Sequence, residues 1–235
     1  SDSNVSHRKF ISEAVEKTGT GRIERVAPNG AIAVEWVGQQ AFDIMLLDVL
    51  ILRKDGMELM HDILGKNADL KIFIMGSGEK EHAETILKAL KIGAVDFILK
   101  PPPMGSAEAV EEVSNCLNML FSQVEKKMHS RRQTAGREGN QARTADMNAA
   151  SGPETNRVTR KAGSSFKGAD LVIIASSTGG PYALETVLSG LSREIKTPIL
   201  VVQHMPPGFT AVLAQALDRK CRLKVREAHD YDLLE

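Results

Sequence analysis

Residues 72–100 read IFIMGSGEKEHAETILKALKIGAVDFILK. Ile72 to Met75 is a short, unbroken apolar run, the pattern of a strand buried on both faces. Past Gly76, Ser77 and Gly78 the apolar period changes: Ala83, Ile86, Leu87 and Leu90 fall three and four apart and share one face of a helix. Phe97 to Leu99 is a second short apolar run. Strand, helix and strand in succession argue for a parallel sheet with helices packed on both faces.

The same alternation extends outward in both directions. Upstream lie apolar runs Ile23 to Val26 and Ile44 to Leu47, with helical spacing in Leu59, Met60, Ile63 and Leu64. Downstream, Val110, Val113, Leu117, Leu120 and Val124 mark a further helix, closing a unit at residues 1–124. This unit opens on a helix, Arg8 to Glu16, with no strand before it. A second unit, residues 168–235, resumes the pattern. Strand Leu171 to Ala175 leads through a Ser176–Gly180 turn into helix Pro181 to Leu191. Strand Ile199 to Val202, helix Gly208 to Leu217 and strand Leu223 to Glu227 then follow. It reads as the opening part of a larger domain.

Residues 125–167 differ in character, with ten Lys/Arg against four Asp/Glu and, among large aliphatic or aromatic residues, only Val158 and Phe166. So little apolar surface does not offset ordering entropy, and a flexible basic linker is expected.

Thirty basic and thirty acidic residues cancel, so bulk charge implies neither nucleic acid nor an anionic membrane as partner. Cys116 and Cys221 lack any zinc-ligand spacing and are expected to be plain thiols of a reducing compartment. The apolar runs fall short of the roughly 18–20 residues that a membrane span needs, and the polar Ser1 to Asn4 opening is unlike a signal peptide. A cytoplasmic protein without membrane insertion is expected.

In parallel α/β sheets, chemistry gathers at the carboxyl ends of the strands. Asp48 ends one apolar run, Ser77 follows another after one glycine, and Lys100 ends a third before Pro101. A carboxylate that accepts a phosphoryl group needs a nearby cation and a metal held by a second acid, roles open to Lys100 and Asp2. With Asp55-Gly56 and Gly93-Ala94, the set resembles the receiver domain of two-component response regulators, a doubly wound, flavodoxin-like fold.

That resemblance implies that Asp48 is phosphorylated by a histidine kinase and that Ser77 is the switch hydroxyl. It also implies that Lys100 contacts the phosphoryl group, and that Asp2, Asp48 and the Leu50 carbonyl hold Mg²⁺. Three features depart from the family: its first strand is absent, Ser1 stands where the first of its paired acids would be, and Leu52 replaces a loop proline. An incomplete acid pair weakens metal binding and a missing strand leaves sheet neighbours unpaired. A chain truncated at both ends is the expectation.

In the second unit, Ser177 lies on a tight turn before Thr178, Gly179 and Gly180, at the start of a helix whose free N–H groups suit an oxyanion. His204 follows the next strand and, if the two strands are parallel neighbours, shares its rim as a base for Ser177. No GxSxG surrounds Ser177, which disfavours a lipase-type hydrolase. The strings Ser-Ser-Thr-Gly-Gly-Pro (176–181) and Gln-His-Met-Pro-Pro-Gly-Phe-Thr (203–210) resemble the chemotaxis protein-glutamate methylesterases, which share the order receiver, linker, esterase.

By that resemblance Ser177 is the nucleophile and His204 the general base. The implied reaction is phosphorylation-activated hydrolysis of glutamate methyl esters, with deamidation of glutamines, on the cytoplasmic helices of chemoreceptors, and no cofactor in the hydrolase part. The family's orienting aspartate is not among these residues; Asp230 and Asp232 come too early to be it. Ala175-Ser176 replaces Gly-Ala before the nucleophile, adding a hydroxyl that competes for His204. The chain by itself is therefore expected to be inactive. The alternative is a receiver that relays or sequesters phosphate beside a degenerate second domain.

Overall fold

The computed structural model describes residue 2 and residues 4–100, 106–138 and 169–234. The expected linker lies largely outside them. Its first part, however, continues a helix, Ala107–Glu138. Residues 125–138 carry Glu, Lys, Arg, Gln and Met, all strong helix formers, and no proline; propensity extends the helix where apolar burial gives no signal.

The first unit is built on three parallel strands, β1 (Ile44–Asp48), β2 (Lys71–Gly76) and β3 (Asp96–Leu99), in that order across the sheet. Asp48 pairs in register with Met75, and Gly76 with Leu99, so Asp48 and the residues after β2 and β3 share one rim. Successive β2 side chains enter opposite cores, as the pleat demands. Phe73 and Met75 pack with Phe10, Ala14 and Val15 of α1 (Val5–Thr18) and Val113 and Leu117 of the long helix. Ile72 and Ile74 pack on the other face, against α2 (Gly30–Gln39), α3 (Val49–Asp55), α4 (Glu58–Lys66) and α5 (Lys80–Ile92). The sheet is doubly wound. The long helix, α6, closes this unit.

Two expectations fail here. Ile23 to Val26 joins no strand ladder among the described residues. Ile23, Val26, Ile44 and Leu46 all line a cavity of roughly 790 Å³. An apolar run becomes a strand only when a neighbour lies within about 5 Å to receive its N–H groups. The loop expected after Asp48 is instead α3, in which Leu52 is 1% exposed. Leucine keeps the backbone N–H that a proline there would remove.

In the second unit β4 (Val172–Ser176) and β5 (Ile199–Gln203) pair in parallel. Leu184 and Leu188 of α7 (Gly180–Ser189) and Leu213 and Leu217 of α8 (Phe209–Asp218) cover one face of them. On the other face Ile173 and Val202 are 61% and 55% exposed. Leu223 to Glu227 joins neither strand; Val225 instead donates its N–H to Asp218 Oδ1 at 2.8 Å.

The units meet at α8. Phe209, fully buried, stacks on Phe97 of β3 with ring centroids 5.2 Å apart and planes 11° from parallel, and Val212 enters the core beside α5. Burying one such ring contributes about 1.5–3 kcal/mol. Lys91 of α5 pairs with Glu185 of α7 at 3.3 Å. No described helix is long and apolar enough to cross a membrane.

Candidate functional site

Asp48 caps α3: its Oδ1 accepts from the Leu50 N–H at 3.0 Å, which fixes the carboxylate at the end of β1. Its Oδ2 accepts from Lys100 Nζ at 2.5 Å, and the same ammonium donates to Asp2 Oδ2 at 2.9 Å. Asp2 is held in turn by the Asn4 N–H on Oδ1, at 2.7 Å, and by its own N–H to the Ala27 carbonyl. Both carboxylates are buried.

Burial and the hydrogen bond with Asp2 hold the Asp48 carboxyl above the usual carboxylate range, against the pull of Lys100. Burial also raises Asp2, but hydrogen bonds from Asp48, the Asn4 N–H and Lys100 outweigh it and leave this group low. Like charges in one pocket cannot both ionise freely, so the protons divide unequally.

Asp2, Asp48 and Lys100 thus converge as expected, and Leu50 lies in the first turn of α3. Ser77 turns away. Its Oγ lies 2.7 Å from His82 Nδ1, and its backbone N–H donates to the same nitrogen at 3.2 Å. Nδ1 is therefore the acceptor and the proton sits on Nε2, a buried atom with no hydrogen-bond partner. His82 belongs to the first turn of α5, so α5 grips the Ser77 hydroxyl.

At the second site Ser176 and Gln203 are register partners, so Ser177 and His204 leave neighbouring strands side by side. The His204 N–H donates to the Ser176 carbonyl at 3.1 Å. Ser177 and His204 are both exposed, and no hydrogen bond joins their side chains. Gly179, at φ +73°, turns the chain from Ser177 into α7.

The Ser176 hydroxyl does not compete for His204: it donates to Gln203 Oε1 at 2.5 Å. Gln203 Nε2 donates to the Ser177 carbonyl at 3.0 Å, bracing the turn. Gly180 makes room, since a Cβ there would stand 2.0 Å from Gln203 Oε1. Asp232 pairs with Arg226 and accepts the His229 N–H at 2.9 Å.

Sequence reasoning passed over one residue that joins the two units. Asp96, at the start of β3, has Thr178 and His204 of the second unit as neighbours, and both favour its charged form. Burial raises its carboxyl nonetheless. Burial likewise raises the Cys116 and Cys221 thiols; both are free and stay protonated at neutral pH.

Two protein families match the chain in the order of its units: the response regulator receiver domain over residues 2–111 and the CheB methylesterase over residues 172–235. Curated relatives match end to end. A protein-glutamate methylesterase/protein-glutamine glutaminase of Treponema denticola is 32% identical, with 100% of this chain aligned to 64% of that protein. The protein of the same name from Oceanobacillus iheyensis is 33% identical, with 100% of this chain aligned to 62% of it. The chain thus spans less than two thirds of their length. Among solved structures, the response regulator domain of Thermotoga maritima CheB is 25% identical, covers 55% of this chain and 92% of its own, and has a TM-score of 0.43. By these two matches and their order, the chain carries a response regulator receiver domain followed by part of a CheB methylesterase domain.

Proposed function

We propose that this chain is the phosphorylation-controlled, nucleophile-bearing part of a cytoplasmic enzyme that hydrolyses glutamate methyl esters, and deamidates glutamines, on chemoreceptor cytoplasmic helices. The division into receiver (1–124), linker (125–167) and methylesterase portion (168–235) is part of this reading. The carrying observation is the β4–β5 register that sets Ser177 beside His204.

In the receiver, an Asp48 carboxylate oxygen attacks the phosphorus of a histidine kinase's phosphohistidine and the imidazole leaves. Two buried carboxylates around one cation form a hard-oxygen donor set that suits Mg²⁺. Asp2, Asp48 and the Leu50 carbonyl would hold it, and it would neutralise charge on the transferred phosphoryl oxygens. Lys100 supplies further positive charge at the same rim.

In the methylesterase portion, Ser177 Oγ attacks the ester carbonyl as His204 takes its proton. The tetrahedral intermediate collapses and methanol departs with that proton; ammonia leaves in the deamidation. Water then attacks the acyl-enzyme, restoring Ser177 and leaving glutamate.

The two sites communicate through α5 and β3. A phosphoryl group on Asp48 draws Lys100 and Ser77 toward it. Lys100 follows Phe97 on β3, Ser77 is gripped by α5 through His82, and Phe209 of α8 docks on that face. Phosphorylation therefore biases a two-state contact between the units. Full-length protein treated with beryllofluoride and Mg²⁺ is expected to release methanol from methylated chemoreceptor about fivefold faster, or more, than untreated protein. Equal rates would sink the reading.

A further inference from the structure

The acidic pocket of the receiver holds a third potential ligand that neither the paired acids nor the phosphoacceptor accounts for. His7, in the first turn of α1, places Nδ1 3.5 Å from Asp2 Oδ2 and 3.3 Å from Lys100 Nζ. An ammonium has no lone pair to offer, so Nδ1 accepts from it and the imidazole proton sits on Nε2. The Nδ1 lone pair is therefore aimed at a cation, the same one that Asp2 Oδ2 and Asp48 Oδ2 hold at 2.9 and 2.5 Å. Lys100 Nζ fills the point that all three atoms share, so an ion takes that point as the ammonium swings aside.

One ligand atom from each of Asp2, His7 and Asp48 lies within 4.8 Å of the other two. Two ligands of one first-row ion stand at most about 4.2 Å apart, twice a bond of about 2.1 Å. Side-chain rotations of a few tenths of an ångström close that gap. His7 is partly exposed and its α1 backbone is fixed by Asn4, whose side chain accepts the Ser6 and His7 N–H groups, so the ring can pivot without disturbing the helix.

An imidazole among the donors changes which ion is preferred. Carboxylate, carbonyl and water oxygens suit Mg²⁺ and Mn²⁺, whereas imidazole nitrogen favours Fe²⁺, Co²⁺ and the later first-row ions, with affinity rising along the row to Cu²⁺. We propose that His7 is a metal ligand of the receiver, completing an Asp2–His7–Asp48 site that prefers a first-row divalent transition ion to Mg²⁺. The proposal rests on the receiver reading of Asp2 and Asp48 and adds to it the identity of the ion. Mg²⁺ enters the same pocket through the two carboxylates, without help from His7.

Calorimetric titration of the chain with Co²⁺ and, separately, Mg²⁺ tests this, using the wild type, His7→Asn, His7→Gln and Asp48→Asn. Both His7 variants are expected to bind Co²⁺ about tenfold more weakly, or worse, as loss of a ligand in a metal site does, while Mg²⁺ affinity changes less than about twofold. Helix content measured by circular dichroism reports that the variants are folded. Unchanged Co²⁺ affinity in both His7 variants, or an equal loss for both ions, overturns the role of His7. Asp48→Asn separates the two levels: it is expected to weaken both ions, and if it weakens neither, the receiver's cation site itself is refuted along with the proposal.

Discussion

Ser177→Ala in the full-length protein is expected to lower methanol release from methylated chemoreceptor by roughly four to six orders of magnitude, the cost of removing the nucleophile of a serine hydrolase. The structure makes the substitution a clean one. Ser177 is exposed and its Oγ takes part in no hydrogen bond, so alanine removes the reacting atom and little else. The turn survives because other groups hold it: Gly179 in its left-handed conformation, the Gly180 N–H on the Ser177 carbonyl at 2.8 Å, and Gln203 Nε2 on the same oxygen. Phosphate uptake at Asp48 is expected to continue unchanged. A receiver that merely relays phosphate beside a degenerate domain predicts the opposite pattern, with no effect of the substitution on any output. Methanol assayed beside phosphate incorporation from a small-molecule donor separates the two.

Asp48→Asn is expected to abolish phosphate incorporation altogether. The amide is no nucleophile, because its nitrogen lone pair is delocalised into the carbonyl, yet it fills the same space, and its one oxygen keeps one of the two contacts that the carboxylate makes through separate oxygens, to Lys100 or to the Leu50 N–H. The fold should therefore hold while the chemistry fails. Burial of a single unpaired Lys100 charge is avoided as well, since Asp2 keeps its contact at 2.9 Å. Acid-stable gels or mass spectrometry after exposure to acetyl phosphate report the result directly; residual incorporation in the variant would move the phosphoacceptor elsewhere.

What was legible in the sequence follows from how local each decision is. The unit Ile72 to Lys100 forms as read, because a buried strand and an amphipathic helix are written in neighbouring side chains. Ile23 to Val26 carries the same apolar signal, yet strand formation there depends on a partner that the run itself does not specify. Leu223 to Glu227 fails for the same reason. The reverse error occurs in α6, where helix propensity persists past Glu125 although apolar burial has ended.

The site divides along the same line. Asp48 and Lys100 were visible because strand ends in a parallel sheet share a rim, and register then brings them within 2.5 Å. Ser177 and His204 were visible for that reason too. The grip of His82 on Ser77 was not, since it turns on one side-chain rotation. Nor was His7, whose place depends on how α1 packs through Phe10, Ala14 and Val15 onto α6. Asp96 escaped notice because it begins its strand, at the end opposite Lys100, and acquires a role only when the second unit docks. The brace of Gln203 on the Ser177 turn was not legible either, since it depends on the register between β4 and β5.

The central claim is that the acyl-phosphate site on Asp48 and the docking of α8 on β3 and α5 are one equilibrium. Backbone amide hydrogen exchange over residues 209–218, measured with and without beryllofluoride and Mg²⁺, tests it most directly. The buried Phe209–Phe97 stack predicts that α8 is protected in the untreated chain and exchanges faster once the phosphoryl mimic is bound, with no such change in Asp48→Asn. Exchange in α8 that stays the same while the Asp48 pocket itself becomes protected would show the mimic bound and the units uncoupled, and would contradict the account.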